Sequence, residues 1–142
     1  KVMIDDSFWA PRMAANRRNG LEAVYQQLVK TGRLDAYSLD WAPESGRIQP
    51  HIFWDSDVAK WVEGACYSLI NHPDDGLRAR VEGVVDKFLA AQGKDGYLNP
   101  YFTVVAPDER WTNLRDKHEL YCAGHLIEAA IAHHRATGNR LR

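Results

Sequence analysis

One run of apolar residues constrains this chain more than any other feature. Val58, Trp61, Val62, Ala65, Cys66, Leu69 and Ile70 recur at i, i+3, i+4, i+7, i+8, i+11 and i+12. That period puts all seven on one face of an α-helix and matches no alternating strand pattern. Asp55-Ser56-Asp57 stands just ahead of the run and is rich in residues that cap helix N-termini. Pro73 lies just beyond Asn71 and sets the end. Fully burying one Val or Leu is worth roughly 1.5–3 kcal/mol, so a stripe of this length requires a packing partner.

Three further segments carry the same period. Residues 13–30 place Leu21, Val24, Tyr25, Leu28 and Val29 on one side, with Gly32 as the stop. Residues 77–92 do the same with Leu77, Val81, Val84, Val85, Phe88 and Leu89, closed by Gly93. Residues 116–137 align Leu120, Ala123, Leu126, Ile127, Ala130, Ile131 and His134, with Gly138 as the stop. The short Pro73-Asp74-Asp75-Gly76 turn makes the middle two segments antiparallel neighbours. The expectation is an all-α chain of helical hairpins. Two long connections interrupt it, over residues 31–54 and 93–115. The second opens on Asp95-Gly96, a hairpin-type turn, and runs on through Tyr97–Val105 as a short β-hairpin-like loop. Loops of this length in a helical domain usually carry function. A weak echo links 28–34 with 134–141: both hold a Thr-Gly pair at a helix end, as repeated hairpins would.

Charge excludes some partners. Eighteen basic and nineteen acidic residues leave a net charge of -1, so no basic field exists for nucleic acid or an anionic membrane. No apolar run is long enough to span a bilayer, and no signal peptide is visible, although the chain opens on Lys1. Cys66 and Cys122 form neither a disulfide framework nor a CxxC pair, which favours a reducing, cytoplasmic setting. Five Trp and six Tyr suit a carbohydrate site, since their flat faces match sugar C–H faces; they fill cores equally well.

The chemistry-bearing residues cluster near the last segment. His118, Cys122 and His125 share a helical face, and His118-Glu119-x-x-Cys122 stands one residue away from the zinc-peptidase motif. A third ligand at i+7 is awkward for one ion, so the expectation is that this chain holds no metal. The plainer alternative has the two imidazoles facing a polar cavity and Cys122 buried as a small hydrophobe. Among the carboxylates, Asp55, Asp57, Glu63, Asp95, Glu119 and Glu128 are candidates for work on a glycosidic bond. Helix capping accounts for at least one of Asp55 and Asp57, while Glu63 and Glu128 read as solvated. Phe53-Trp54 and Tyr97, Tyr101, Phe102 would form an aromatic wall if the two long loops share one rim; composition does not decide between that wall and a sealed core.

Four strings carry a resemblance: Asp6-Ser7-Phe8-Trp9-Ala10-Pro11-Arg12, Phe53-Trp54-Asp55-Ser56-Asp57-Val58-Ala59-Lys60-Trp61, Asp95-Gly96-Tyr97-Leu98-Asn99-Pro100-Tyr101-Phe102, and His118-Glu119-Leu120-Tyr121-Cys122-Ala123-Gly124-His125-Leu126-Ile127-Glu128-Ala129-Ala130. Together, in content, order and spacing, the chain resembles the start of glycoside hydrolase family 127, the β-L-arabinofuranosidase-like enzymes. The resemblance implies part of an (α/α)6 toroid, with residues 1–142 forming an incomplete N-terminal portion of that catalytic domain. It also implies a carbohydrate substrate, and zinc held by one Glu and three Cys elsewhere in the whole enzyme, with the nucleophile and acid/base downstream. Neither Cys66 nor Cys122 matches that cluster, so the fragment alone is expected to lack turnover. His118 matches a sugar-contacting His of the family. Trp54 and Asp55 match the pocket floor, and His125 is grouped with them as a substrate-binding candidate. A sugar-contacting Gln in the first long loop has no counterpart, Arg33 being the nearest candidate. An incomplete toroid leaves an apolar flank open, which suits a homo-oligomer. Two rival readings remain: a non-catalytic helical-hairpin module that binds protein, and a small zinc hydrolase built on the His118 helix.

Overall fold

The computed structural model describes residues 3–138. Five helices carry the fold: α1 (Trp9–Ala15), α2 (Leu21–Lys30), α3 (Trp54–Asn71), α4 (Asp75–Ala91) and α5 (Glu119–Thr137). Shorter helical turns occupy Asn16–Gly20, Asp35–Ser38, Tyr101–Val105 and Pro107–Glu109. Among the described residues there is no strand, and no helix is long and apolar enough to cross a membrane.

The first helical segment begins earlier than its apolar period implies. Asp6 Oδ1 accepts the Phe8 and Trp9 N–H groups and starts α1 at Trp9. A wide π-type turn over Asn16–Gly20 then joins α1 to α2. Asp74 starts α4 two residues ahead of the expected Leu77, because its carboxylate takes the Leu77 N–H at 2.9 Å. The Asp95-Gly96 turn forms, closed by Gly93 N–H on the Tyr97 carbonyl at 2.8 Å. The extended arm expected after it does not. Asn99 Oδ1 accepts the Phe102 N–H at 3.1 Å, and Pro100 presets a helical φ, so Tyr101–Val105 coils instead.

The Thr-Gly echo has a local cause. Thr31 Oγ1 donates back to the Gln27 carbonyl and Thr137 Oγ1 to the His133 carbonyl. The glycine after each adopts a positive φ, 78° at Gly32 and 76° at Gly138. Two helices thus share one C-terminal stop; residues 139–141 of the echo lie outside the described residues.

Side-chain pairs fix the arrangement. Ile52 pairs with Cys122, Lys60 with Tyr121, and Glu63 with His125 and Glu128, so α3 and α5 run parallel, side by side. They are the most extensively packed pair of elements. On α2, the Leu21 carbonyl accepts the Trp61 indole N–H at 2.9 Å, while Arg33, just past the helix, reaches Asp57. Thus α2 runs antiparallel to α3. Glu82 of α4 meets His133 near the end of α5, and Phe88 at the other end of α4 meets Tyr37. So α4 is antiparallel to α5, and two helices, α2 and α4, cover two parallel neighbours. Both the hairpins and the layering fit part of an (α/α)6 toroid.

The α3 stripe is buried as its spacing demands, with Val58, Val62, Ala65 and Cys66 at 0% exposure and only Ile70 partly open. The α4 stripe is buried except for Leu89. Two stripes need correction. On α2, Leu21 and Leu28 are buried but Val24 and Val29 are exposed. On α5, the expected stripe is not the buried one. Leu120, Ile127 and Ile131 are exposed, whereas Glu119, Cys122, Ala129, Ala132 and His133 face the core. Small residues let α5 approach α3 closely, and that approach turns the larger apolar side chains outward.

This assignment predicts a contrast. Leu69→Ala should cost about 2–5 kcal/mol in urea unfolding. Ile127→Ala should stay within about 0.5 kcal/mol. Equal losses would show the α5 stripe to be covered.

Candidate functional site

α3 and α5 begin at the same end, and the residues singled out by sequence gather there. Phe53 occupies the N-cap of α3 and makes no side-chain cap bond. The expected capping by Asp55 or Asp57 is therefore not what the fold uses. With the helix starting at Trp54, Asp55 turns into the interior at 1% exposure, and Ser56 Oγ donates to the Phe53 carbonyl at 2.8 Å. Asp57 receives the Arg33 Nε–H at 2.8 Å, and the Arg33 guanidinium lies 5.0 Å over the Trp54 ring. Both acids still sit in the first turn, where the helix dipole favours negative charge.

His118 opens α5 in the left-handed conformation, φ 58° and ψ 15°. A non-glycine residue there is uncommon and costs on the order of 1–3 kcal/mol, a strain characteristic of functional positions. Its imidazole is exposed and stands edge-on between Phe53, 5.8 Å away, and Tyr121, 6.0 Å away. The row continues from Phe53 to His51 at 4.3 Å and from Tyr121 to His125 at 4.6 Å. Lys60 Nζ donates to the Tyr121 hydroxyl at 2.6 Å, which holds that ring across from α3.

The second long loop reaches the same rim through Glu119. This carboxylate is 2% exposed, accepts the Tyr97 hydroxyl, and takes the Trp111 N–H at 2.8 Å. Burial and the Glu119 charge push the Tyr97 phenol well above its ordinary range. Glu119 therefore ties a loop to a helix start. Tyr97 and Trp111 pack edge to face at 5.3 Å, with the Arg110 guanidinium 3.7 Å over Tyr97. The two aromatic loops do share a rim, although Phe102 is fully buried and serves the core.

Behind Trp54, Asp55 faces Tyr37. Burial, with the Asp57 charge adding to it, raises the Asp55 carboxyl well above the usual carboxylate range, and its partner Tyr37 opposes part of that rise. The two side chains are coupled in this way, yet Asp55 Oδ2 and the Tyr37 hydroxyl close no hydrogen bond of ordinary geometry. Sequence gave no sign of Tyr37, which arrives from a loop. Tyr121 and Lys60 were legible only as neighbours of candidate residues.

Cys122 donates to the Ile52 carbonyl at 3.5 Å, and Cys66 lies deeper in the core. Burial pushes both thiols up to about 12, so neither is a thiolate at neutral pH. With Glu119 and Cys122 turned inward and His118 outward, the His118-Glu119-x-x-Cys122 motif assembles no zinc site. The residues that do converge are Glu63, His125 and Glu128, whose donor atoms lie within 4.8 Å of one another. Glu128 is largely exposed, and Glu63 is half-buried beside it. A groove of about 520 Å³ runs from the Tyr97, Trp111 and Glu119 end of the rim along α5, lined also by Phe88, Leu89, Ala123 and Ile127.

Comparison with known proteins decides the family. The model of the beta-L-arabinofuranosidase GH127 catalytic domain matches residues 1–141. The chain belongs to the GH127 family. It is 47% identical over 92 residues to a non-reducing end beta-L-arabinofuranosidase of Bifidobacterium longum, a match covering 62% of this chain and 14% of that protein. A GH127 beta-L-arabinofuranosidase from Geobacillus stearothermophilus superimposes with TM-score 0.91 at 38% identity, over 99% of this chain and 23% of that one. A second GH127 beta-arabinofuranosidase superimposes with TM-score 0.88 at 34% identity, over 99% of this chain and 24% of its own. The GH127 chain described here thus spans about a quarter or less of the relatives it matches.

The zinc set that the family resemblance implies does not fit this part of the protein. Cys66 and Cys122 sit on different helices, both buried as thiols, where three cysteinates are needed.

Asp55 gives a pH signature. A buried acid whose folded pKa is raised contributes stability below its ordinary value of 3.8 and loses it as pH rises toward the folded value. Asp55→Asn should therefore flatten the decline in unfolding free energy above about pH 4. A decline of the same slope in the variant would remove Asp55 as its source.

Proposed function

We propose that these residues form one wall of the substrate pocket of a glycosidase acting on β-L-arabinofuranoside-type sugars. The observation that carries it is His118. Its imidazole is held on a strained backbone at the shared start of two parallel helices, between two aromatic edges. A preset, exposed imidazole can hydrogen-bond sugar hydroxyls without first losing conformational freedom. Trp54 and Asp55 supply the floor: Trp54 contributes an apolar ring, and the buried Asp55 carboxyl, its pKa raised by burial, lies directly behind it. His125 forms the lower edge, reached through Tyr121. Family membership and two relatives with β-L-arabinofuranosidase activity in their names support this reading. The pocket wall binds and orients; a fragment with only two buried thiols and a Glu119 engaged in structure should not turn over substrate alone.

The test is His118→Ala in the whole enzyme, assayed on a chromogenic β-L-arabinofuranoside. One lost hydrogen bond from a sugar to a polar group, worth about 0.5–1.5 kcal/mol, corresponds to a fall in kcat/KM of about 2- to 10-fold with an unchanged melting temperature. Unchanged kcat/KM would remove His118 from the site.

One observation favours a second reading. The exposed Leu120, Ile127 and Ile131 on α5 suit a surface that binds protein, a second copy included. Sedimentation of Ile127→Glu tests it: a wild-type dimer that the variant loses supports it, and a wild-type monomer dismisses self-association.

A further inference from the structure

We propose that Glu119 is the positioning residue for His118: its buried carboxylate clamps the loop that holds His118 in the left-handed conformation. The effect on catalysis rests on the sugar-pocket reading, whereas the effect on the backbone rests on geometry alone.

Among the described residues, three non-glycine residues have a positive φ, and two of them bracket one segment: Trp111 at 60° and His118 at 58°. Between those ends the backbone is tied to itself. Asn113 accepts the Lys117 N–H at its carbonyl and the Asp116 N–H at its Oδ1, both at 3.1 Å. The segment is therefore stiff inside, and its changes of direction fall on Trp111 and His118. A residue that precedes a helix ordinarily takes extended backbone. Holding two non-glycine residues in the costlier left-handed form requires a restraint from outside the segment.

Glu119 is placed to supply it. It is the first residue of α5, directly after His118, and is 2% exposed. Its Oε2 accepts the Trp111 N–H at 2.8 Å, so one carboxylate joins the two strained ends. Its Oε1 accepts the Tyr97 hydroxyl, which anchors that carboxylate to the start of the same long loop. Hydrogen bonds to a carboxylate are about twice as strong as neutral ones, and a buried setting strengthens them. The contacts on the His118 ring itself are looser, edge-on to Phe53 and Tyr121 at 5.8 and 6.0 Å. His118 makes no side-chain cap bond to α5, so its imidazole stays free of the helix it begins. Glu119 thus sets where that ring stands through the backbone, without itself touching a sugar.

The experiment is crystallography of Glu119→Ala in the whole enzyme, paired with kinetics on a chromogenic β-L-arabinofuranoside. The expected structure has His118 at a negative φ, its ring displaced from between Phe53 and Tyr121. The expected kcat/KM falls about 2- to 10-fold, as for His118→Ala, and the double variant falls no further than either single one. Glu119→Gln can still accept from the Trp111 N–H and donate to the Tyr97 hydroxyl, so it keeps His118 in place and restores kcat/KM. Should Glu119→Ala fail to fold, Glu119→Asp replaces it, being one methylene too short to reach both donors. An unmoved His118 backbone overturns the proposal. So do losses that multiply in the double variant, since Glu119 then acts independently of His118. An unchanged kcat/KM in His118→Ala strikes the sugar reading alone, and the His118 backbone in the Glu119 variant then decides the positioning role.

Discussion

The close, parallel approach of α3 and α5 is the constraint on which the rest of the structure depends. Ala59, Ala65 and Cys66 on α3 and Cys122, Ala129 and Ala132 on α5 are all buried and small. Small side chains at a helix interface let backbones approach, and dense packing then fixes their relative depth. That depth aligns Phe53 with His118, Lys60 with Tyr121, and Glu63 with His125. Because the helices are parallel, both N-termini open on the same rim. Two long loops that are far apart in sequence therefore converge there. An antiparallel pair would have separated Trp54 from His118 by the length of a helix.

α5 illustrates how one helix serves several environments. Cys122, Ala129 and His133 face the core, and Ala123, Ala130 and Ile127 border the apolar groove. His118, Tyr121, His125 and Glu128 share the opposite, polar side. Leu120, Ile127 and Ile131 form an open apolar strip between the groove and that polar side. A helix with polar and apolar work on distinct faces cannot present a single clean stripe, and this one does not.

That division explains what the sequence made legible. α3 and α4 pack through one face each, so their periodicity named nearly all of their buried residues, from Val58 to Leu69 and from Leu77 to Phe88. On α5 periodicity found the large apolar residues, and these turned out to be the open ones. The caps were not legible: Asp74 was read as part of a turn although its carboxylate caps α4, and α3 begins at Phe53 with no side-chain cap at all. His118 and Trp54 were found because family-like strings surround them. Tyr37, and the Glu63–His125 contact, were hidden. Both are long-range, joining residues about 18 and 62 positions apart in sequence, and local patterns hold no signal at that distance.

Proton NMR of the His118 imidazole during titration with L-arabinose tests the central claim most directly. The account predicts saturable shifts centred on His118, with smaller ones at Tyr121 and the Trp54 indole, all absent in His118→Ala. Saturable shifts confined to residues of the Leu89–Trp111 groove, with His118 unmoved, would contradict it.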